Sequence, residues 1–369
     1  MSTVKSPSRF QTVKTLGHGA FGRADHVIET STGREFALKT SSVANPNMRA
    51  TALREISLLK ALVHPNVVKI HEEWEDREKH MLVLLELCDG SLSDLILEGK
   101  SAGRLYDERY ILFIFAQICA ALHFVHSKGI MHRDIKSANI LYIRASPEDE
   151  PLIKLADFGV SRPLGDLSVA YSVVGTMNSL SPEILNGKPY NKKTDMWSLG
   201  CVLYELATYY PAFGGPKQSM SVIIKGVSSG SYTPLPPCFS PEFHALLASL
   251  LQVEAASRPD TSELIALPII QTAFTDFSEG QSCSRFSDFP WTLTEEVKEV
   301  PEDLGPGWGT ISSPMSLTAS ISASEVSGLA VSGESMNEKK NDLMAARLAA
   351  RSRLLAANSS GGRVDPPPE

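Results

Sequence analysis

The chain has 369 residues, of which 43% are apolar, so it is long enough for one large bilobal domain with an appendage or for two domains. A net charge of −7 argues against general binding to nucleic acids or to anionic membranes. The five cysteines are scattered without a C-x-x-C pair, and we see no signal segment and no run of about 18 apolar residues. We therefore expect a soluble, intracellular protein with reduced thiols.

The N-terminal part of the chain is predicted to form strands around a glycine-rich turn. Residues 10–16 alternate apolar and polar side chains, as a half-buried strand does, and a second strand is predicted over 24–29. Between them the chain has the spacing G-x-G-x-x-G, at Gly17, Gly19 and Gly22. A dinucleotide-binding fold would place a helix next, but a further strand is predicted over 35–39. This context favours a glycine flap over the phosphates of ATP.

A single lysine, Lys39, ends the third predicted strand. A lone lysine is usually a solvated surface charge, but here a helix predicted over 48–62 follows it. The apolar residues of that helix recur at helical spacing, at Leu53, Ile56, Leu59 and Leu62. Glu55 lies close to this apolar face, where its carboxylate can pair with Lys39 and hold the ammonium against the α- and β-phosphates of ATP.

Two further strands are predicted over 67–71 and 81–86, and the second runs into Leu85-Glu86-Leu87-Cys88. The end of this apolar run is interpreted as a hinge. Cys88 could be a reactive thiol, but no neighbour that would lower its pKa is apparent, so an ordinary hinge residue is the preferred interpretation.

Beyond the hinge the composition becomes helical. A strongly apolar helix is predicted over 110–126, ended by Gly129 in the left-handed conformation. An apolar helix that runs to about residue 209 begins with Asp195, whose buried carboxylate is costly unless it accepts hydrogen bonds. Short strands are expected over 140–143 and 152–156, loops over 211–237, and helices over 243–251 and 261–267, with compact structure ending near Phe274.

Two motifs in the middle of the chain carry the chemistry. Residues 132–139 read H-R-D-x-x-x-x-N, and Asp-Phe-Gly follows at 157–159; either alone could arise by chance, but both occur in order beside apolar runs. A hydroxyl that attacks a γ-phosphate needs an oriented carboxylate, for which Asp134 is the candidate base. Asn139 and Asp157 offer the hard oxygen ligands that Mg²⁺ prefers. Lys136 can reach the transferred phosphoryl group.

The two ends of the chain differ from its middle. Residues 1–9 are polar, and the tail over 275–369 is rich in serine and glycine, so both are predicted to be disordered and of low complexity. An Ala-, Leu- and Arg-rich stretch over 341–357 is predicted as a transient helix that could dock on a partner. The folded domain is therefore expected over 10–274.

Residues 10–274 resemble a eukaryotic Ser/Thr protein kinase domain. Several stretches resemble the NIMA-related (Nek) kinases: H-R-D-I-K-S-x-N at 132–139, Leu-Ser-Pro-Glu at 180–183, Glu-x-Cys at 86–88, and Ala24. The resemblance implies an α+β, bilobal fold with a small β-rich N-lobe and a larger helical C-lobe. It also implies transfer of the γ-phosphate of ATP, with Mg²⁺, to serine or threonine hydroxyls of protein substrates.

The resemblance further implies roles for individual residues. Phosphates would be bound by Gly17, Gly19, Gly22 and Lys39, with Glu55 orienting Lys39. The nucleotide pocket would be lined by Leu16, Ala24, Ala37, the gatekeeper Leu85, Glu86, Cys88 and Leu141. Structural roles fall to Glu183 and Arg258, as a buried ion pair, and to Asp195, as acceptor of catalytic-loop N–H groups. Regulatory roles fall to Arg133, which would bind a phosphate on Ser172, and to Thr176, which would contact Asp134 and Lys136.

The chain departs from the Nek pattern at Met177-Asn178-Ser179, where proline and two tyrosines are usual, so substrate preference there cannot be carried over. Ala138 stands where basophilic kinases often have glutamate, so no strong demand for arginine is expected. The alternative is a pseudokinase or scaffold that acts through its tail, disfavoured because Asp134, Lys39 and Asp157 are all present. A small-molecule kinase is disfavoured by the complete activation segment.

Family resemblance also suggests a setting for the protein. It links the chain to cell-cycle, centrosome or cilium and flagellum processes, in the cytoplasm, with the cytoskeleton or the nucleus as alternatives. A partner bound through the tail, or self-association for phosphorylation in trans, is expected, whereas nucleic-acid and membrane partners are not.

Overall fold

A computed structural model describes residues 9–19, 22–144, 146, 149–158, 179–188, 190–215 and 218–280. In this part of the chain a five-stranded sheet with one helix is followed by a larger helical region, so the predicted α+β, bilobal fold is confirmed. The predicted disorder at residues 1–8 and in the tail, with the helix at 341–357, lies outside the described residues. Arg9, predicted to be disordered, instead pairs through Nη1 with Glu72 at 2.9 Å.

The N-lobe is an antiparallel sheet with strand order β1-β2-β3-β5-β4. Its strands are β1 Phe10–Gly19, β2 Gly22–Glu29, β3 Glu35–Ser42, β4 Ile70–Glu75 and β5 His80–Glu86. Helix α1, Pro46–Ala61, connects β3 to β4. It begins where the Asn45 side chain accepts a hydrogen bond from the Met48 N–H, with Pro46 in the first turn, where its missing N–H costs nothing.

Two sequence expectations for the N-lobe were wrong in part. In the stripe predicted on α1, Ile56, Leu59 and Leu62 are buried, but Leu53 is 37% exposed, and Leu58 is fully buried beside the stripe. Val67 forms only an isolated bridge to Leu155, and β4 begins at Ile70. The segment before β4 is held to the C-lobe, since the Leu155 N–H donates to the Asn66 carbonyl at 2.7 Å.

The C-lobe is built mainly from helices around one apolar core. Its helices are α2 Leu92–Ser101, α3 Glu108–Ser127, α4 Pro182–Leu185, α5 Lys192–Thr208, α6 Met220–Ser229, α7 Pro241–Leu250, α8 Thr261–Ile265 and α9 Pro268–Gly280. A small sheet contains β6 Gly90–Ser91, β7 Ile140–Ile143 and β8 Leu152–Leu155, and 3-10 turns span Ser137–Asn139 and Ala255–Ser257.

Two of these helices lie where loops, or the end of compact structure, were expected. Helix α6 lies in the region expected to be loops, where it buries Ile223, Ile224 and Val227 and ends at Gly230 in the left-handed conformation. Helix α9 buries Ile270 completely and continues to residue 280, past the expected end of compact structure at Phe274. Both helices are stabilised by packing on the core more than by local sequence preference.

Helix α3 is the centre of the C-lobe core, and 13 of its 20 residues are buried. By its length and by a mean hydropathy of 1.6 over its most apolar stretch, this helix could also span a membrane, although polar residues such as Gln117 interrupt its apolar runs. That stretch is 72% buried inside the domain, however, so the packed core accounts for its apolar character.

Candidate active site

The glycine-rich turn joins β1 to β2 at one edge of the sheet. At Gly22 the strands approach so closely that an added Cβ would lie 1.8 Å from the Thr40 carbonyl oxygen, so only glycine fits. At Gly17 an added Cβ would meet no atom within 4 Å, which leaves open space beside the turn. Leu16 lies at an irregularity in the β1–β2 register and is 43% exposed. Gly19 ends β1, and residues 20–21 of the turn are not described.

The strand register brings the predicted nucleotide-pocket residues together. Ala24 on β2 is opposite Lys39 on β3, and Ala37 on β3 is opposite Leu85 on β5. Because residues two apart in a strand share a face, Ala37 and Lys39 lie on one face of the sheet. Small side chains at Ala24 and Ala37 leave room on this face beside the Leu85 side chain.

Lys39 is held by two carboxylates. Its Nζ atom donates to Glu55 Oε1 on α1 at 2.6 Å and to Asp157 Oδ1 at 3.1 Å. Burial alone would lower the pKa of Lys39, but the charges of Glu55 and Asp157 raise it above its ordinary value. Burial would raise the pKa of Asp157, and Lys39 reverses this and lowers it. Lys39 and Asp157 are therefore both charged near neutral pH. The contact between Lys39 and Glu55 is the one that the sequence predicted.

The segment after α3 orients the carboxylate of Asp134. Lys136 Nζ and Asn139 Nδ2 each donate to Asp134 Oδ2 at 2.8 Å. Asn139 Nδ2 also donates to the Asp134 carbonyl oxygen at 2.9 Å, which ties the two ends of this turn together. Both side-chain bonds end on Oδ2, so this oxygen of the carboxylate is held in place.

Asp195 holds this segment through its backbone, as the family resemblance implies. Its two carboxylate oxygens accept the backbone N–H groups of His132 and Arg133, each at 3.0 Å. Arg133 has φ +71°, a conformation that is unfavourable for a side chain of this size, and the hydrogen bond to Asp195 holds it there. Ser172, the predicted partner of the Arg133 side chain, lies outside the described residues.

Sequence reasoning missed two side chains that hold Asp195. His126 Nε2 lies 2.7 Å from Asp195 Oδ2, and the Tyr190 hydroxyl donates to Oδ1 at 2.6 Å. Burial would raise the pKa of Asp195, but these partners lower it, so the buried carboxylate stays ionised. The only signal in the sequence was His126, a lone histidine in the last turn of the apolar helix α3. A lone histidine does not indicate which residue it contacts.

His132 is a third residue whose role the sequence did not identify. It is fully buried against the Phe158 ring, with 4.7 Å between ring centroids. Burial lowers the pKa of His132, so the ring is neutral. A neutral ring fits its contacts, because Nε2 lies 3.1 Å from the Ala156 carbonyl and Nδ1 accepts the Asp134 N–H at 3.3 Å. It thereby links the Asp134 segment to the one that holds Asp157.

The hinge follows β5. The Glu86 carboxylate pairs with Lys154 Nζ at 2.9 Å and accepts the Lys69 N–H at 2.7 Å, so it is fixed on the side of β8. Burial, with the nearby charge of Glu86, raises the pKa of Cys88 to about 12, which agrees with an ordinary hinge residue. Leu141 on β7 pairs with Ser91 and is partly buried.

The oxygen atoms of Asn139 and Asp157 fit a hard divalent cation. Because Asn139 Nδ2 makes both bonds to Asp134, its carboxamide oxygen is directed elsewhere. The Asp157 side chain is 54% exposed, and its backbone has φ +54°. The two residues are linked, since the N–H of Ala156 donates to the Asn139 carbonyl at 2.9 Å. These ligands are the type that Mg²⁺ prefers, and open space beside Gly17 suits phosphate groups.

Below this site, Arg258 and Glu183 form the predicted buried pair, with Arg258 Nη1 and Nη2 each 2.8 Å from a Glu183 carboxylate oxygen. The remaining site predictions, Gly159, Ser172, Thr176 and the Met177-Asn178-Ser179 departure, fall outside the described residues.

Residues 10–270 match the protein kinase domain family. Serine/threonine-protein kinase Nek8 of Danio rerio is 36% identical over 260 residues, which are 70% of this chain and 36% of that protein. Nek1 of Mus musculus is 34% identical over 277 residues, 74% of this chain and 22% of that protein. Nek5 of Homo sapiens is 33% identical over 267 residues, 71% of this chain and 36% of that protein.

The chain therefore spans between 22% and 36% of the length of these three relatives. The match includes the glycine-rich turn, Lys39 and Glu55, and the segment around Asp134. The chain belongs to the protein kinase domain family, and its similarity within that family is to the Nek serine/threonine kinases.

Proposed function

We propose that the chain is a NIMA-related Ser/Thr protein kinase, which transfers the γ-phosphate of Mg-ATP to serine and threonine hydroxyls of protein substrates. The observation that carries this proposal is the assembled Lys39 site, in which one ammonium contacts both Glu55 and Asp157. A pseudokinase or scaffold that only binds partners does not need a charged lysine between two carboxylates beside the glycine-rich turn, whereas phosphate binding does. No described feature favours the scaffold alternative over the enzyme.

The chain's own residues divide the work. Ala24, Ala37 and Leu85 shape the adenine side of the cleft, and backbone groups of Glu86 and Cys88 are the proposed adenine contacts. Lys39 is a fixed positive charge for the phosphates. Asp134 accepts the proton of the attacking hydroxyl, and Lys136, held 2.8 Å from it, balances charge on the transferred group.

Asn139 and Asp157 would hold Mg²⁺, which when bound supplies positive charge to the phosphate oxygens. Because Asp157 also contacts Lys39, the ammonium lies beside the region where that ion would sit, and the carboxylate is kept ionised without the ion. An ionised ligand suits metal binding, since no proton has to leave when the ion arrives.

The proposal is tested first at Lys39. Lys39→Met in the full chain should lower the rate of γ-phosphate transfer to a general acceptor protein by at least about 10²-fold, because a preorganised charge is lost. The fold should survive, since the ammonium is at the cleft and not in the apolar core. The matched control is Lys60→Met, which removes an exposed lysine of α1 that pairs with Glu73. Equal activity of wild type and Lys39→Met would contradict the proposed function.

Regulation by phosphorylation of Ser172 is part of the proposal. Arg133 precedes Asp134, and its guanidinium would take a phosphate on the activation segment and order that segment. Ser172→Ala should lower activity by at least about tenfold, because the active form would lose one charge-assisted hydrogen bond, which contributes ~1.5 kcal/mol. Ser168→Ala is the matched control, and mass spectrometry of the active protein should find phosphate on Ser172.

In an Arg133→Ala background the Ser172→Ala substitution should have no further effect on activity. Full activity of Ser172→Ala in the otherwise unchanged chain would show that the switch lies elsewhere.

The setting of the enzyme is also proposed and not established. We infer protein substrates, a cytoplasmic location with the cytoskeleton or nucleus as alternatives, and self-association or a tail-bound partner for phosphorylation in trans. The net charge of −7 supports the expectation that nucleic acids and anionic membranes are not ligands.

A further inference from the structure

A groove of about 550 Å³ lies on the C-lobe, away from the catalytic cleft. It is formed where the start of α3, the start of α7 and the first turns of α9 meet. Leu112, which is buried, and Ile269 and Ala273, which are half-buried, give it an apolar base. Glu242 is an exposed acidic residue at the rim. The volume is within the range of sites that bind organic groups of side-chain size and larger.

The groove is rigidly built, and its walls are held by contacts between the helices. The Glu108 carboxylate of α3 accepts both the N–H and the hydroxyl of Ser240, each at 2.6 Å, which fixes the start of α7 against α3. The Ile270 side chain is fully buried beside the groove and anchors α9 to the core. An apolar recess between elements fixed in this way does not close by collapse, so it is available to a ligand.

The chain itself supplies aromatic side chains directly after α9. Beyond residue 280 there are 89 residues but only four aromatic ones, and three of these lie within six positions, at Phe286, Phe289 and Trp291. Large apolar side chains do not make a polar, serine-rich tail more soluble, so solubility does not explain these three residues. Aromatic residues grouped this closely are typical of segments that anchor in a pocket.

The geometry allows this segment to reach the groove. Helix α9 lines the groove with its first turns and ends at Gly280, about 16 Å further along at 1.5 Å per residue. The five residues 281–285 can span about 17 Å when extended, so Phe286 can return along α9 to the groove. So short a connection gives the segment a high effective concentration at this site.

We propose that residues 286–291 of the tail dock in this groove of the same chain, with Phe289 and Trp291 as apolar anchors on Leu112, Ile269 and Ala273. This inference does not depend on the proposed kinase activity. It assigns the tail a fixed starting point on the C-lobe, on the face formed by α3, α7 and α9.

A photo-crosslinking experiment on the full chain tests the location. Benzoylphenylalanine placed at position 289 should, on irradiation of the monomeric protein, join within one chain to peptides that contain Leu112 or residues 268–273. Crosslinks that connect two chains, crosslinks only to other surfaces, or no crosslink at all would each overturn the proposal.

Hydrogen exchange then tests the energetics. Replacing Phe286, Phe289 and Trp291 together by alanine should speed amide exchange at the start of α7 and in α9 by roughly tenfold, while exchange in the middle of α3 stays unchanged. Trp308→Ala is the tail control and should change nothing. On the groove side, Thr272→Arg fills the site and should reproduce the effect, whereas Thr275→Arg, exposed on the same helix outside the groove, should not. Identical exchange in wild type and the triple variant would refute the docking.

Discussion

Asp134→Asn should abolish most phosphoryl transfer while leaving the domain folded. The carboxylate is the only group at this point of the described site that can take a proton from an attacking hydroxyl, and general-base catalysis contributes typically about 10²–10⁴-fold. Asparagine keeps the shape of the side chain and can still accept from Lys136 and Asn139, which both contact Oδ2 at 2.8 Å. The loss should therefore appear in kcat for the acceptor protein, with little change in the binding of ATP.

The measurement is single-turnover transfer from radiolabelled ATP to a general acceptor protein, with nucleotide binding measured in parallel. Asp149→Asn is the matched control, since Asp149 is exposed in the turn between β7 and β8 and its loss should leave the rate unchanged. A reduced rate with normal nucleotide binding assigns Asp134 to the chemical step. Near-wild-type transfer by Asp134→Asn would rule out its role as the base and, with it, the proposed mechanism.

Residues of the site that belong to motifs could be predicted because each motif states both a residue type and a distance along the chain. Lys39 with Glu55, and Asp195 with backbone N–H groups of the segment that contains Asp134, were assigned in this way; the structure contains the first contact and, for the second, the N–H groups of His132 and Arg133. The alternation over 10–16 predicted the strand β1 but not its burial: it was expected to be half-buried, yet residues 11–18 are all exposed.

The rest depended on tertiary contacts that no local pattern encodes. Helix α6 contains Gly226 and several serines, which indicate a loop, but burial of Ile223, Ile224 and Val227 stabilises the helix. His126 and Tyr190 contact Asp195, yet His126 is far from it in sequence and neither residue belongs to a recognisable motif. On α1 the predicted face is buried at Ile56, Leu59 and Leu62 but not at Leu53, because the neighbouring elements decide how far along the helix that face is covered.

Arg258 makes the most saturated set of contacts in the described structure, and its replacement should have the largest effect on stability. All five N–H donors of its guanidinium have an acceptor. Nη1 and Nη2 contact the two oxygens of Glu183, Nη1 also donates to the Lys193 carbonyl, Nη2 to the Val253 carbonyl, and Nε to the Gln252 carbonyl. The guanidinium carbon also lies 5.0 Å from the Trp197 ring centroid. The side chain therefore joins α4, the start of α5 and the turn after α7.

Arg258→Met should destabilise the domain by about 3–5 kcal/mol, because the partner carboxylate of Glu183 is left buried without its cation. For a domain of this size that is a fall in melting temperature of roughly 10 °C. Arg258→Lys should lose much of the same stability, since one ammonium cannot reach five acceptors arranged for a planar fork. The control is Arg49→Met, which breaks the exposed pair with Glu75 and should cost less than about 1 kcal/mol. A loss from Arg258→Met as small as that of Arg49→Met would show that the pair is not structural.

The pH dependence of stability separates the charge effect from the loss of packing. Burial alone would raise the pKa of Glu183, but Arg258 lowers it below its ordinary value in the folded protein. The stability that this pair contributes is therefore present above the pKa of an unfolded glutamate and is lost as pH falls through the folded pKa. In Arg258→Met, burial dominates and the folded pKa of Glu183 lies above the unfolded one, so this group then favours folding at acid pH. The stability difference between wild type and Arg258→Met should consequently shrink as the pH is lowered from 7 towards 4, and a difference that is constant over that range would mean that only packing is lost.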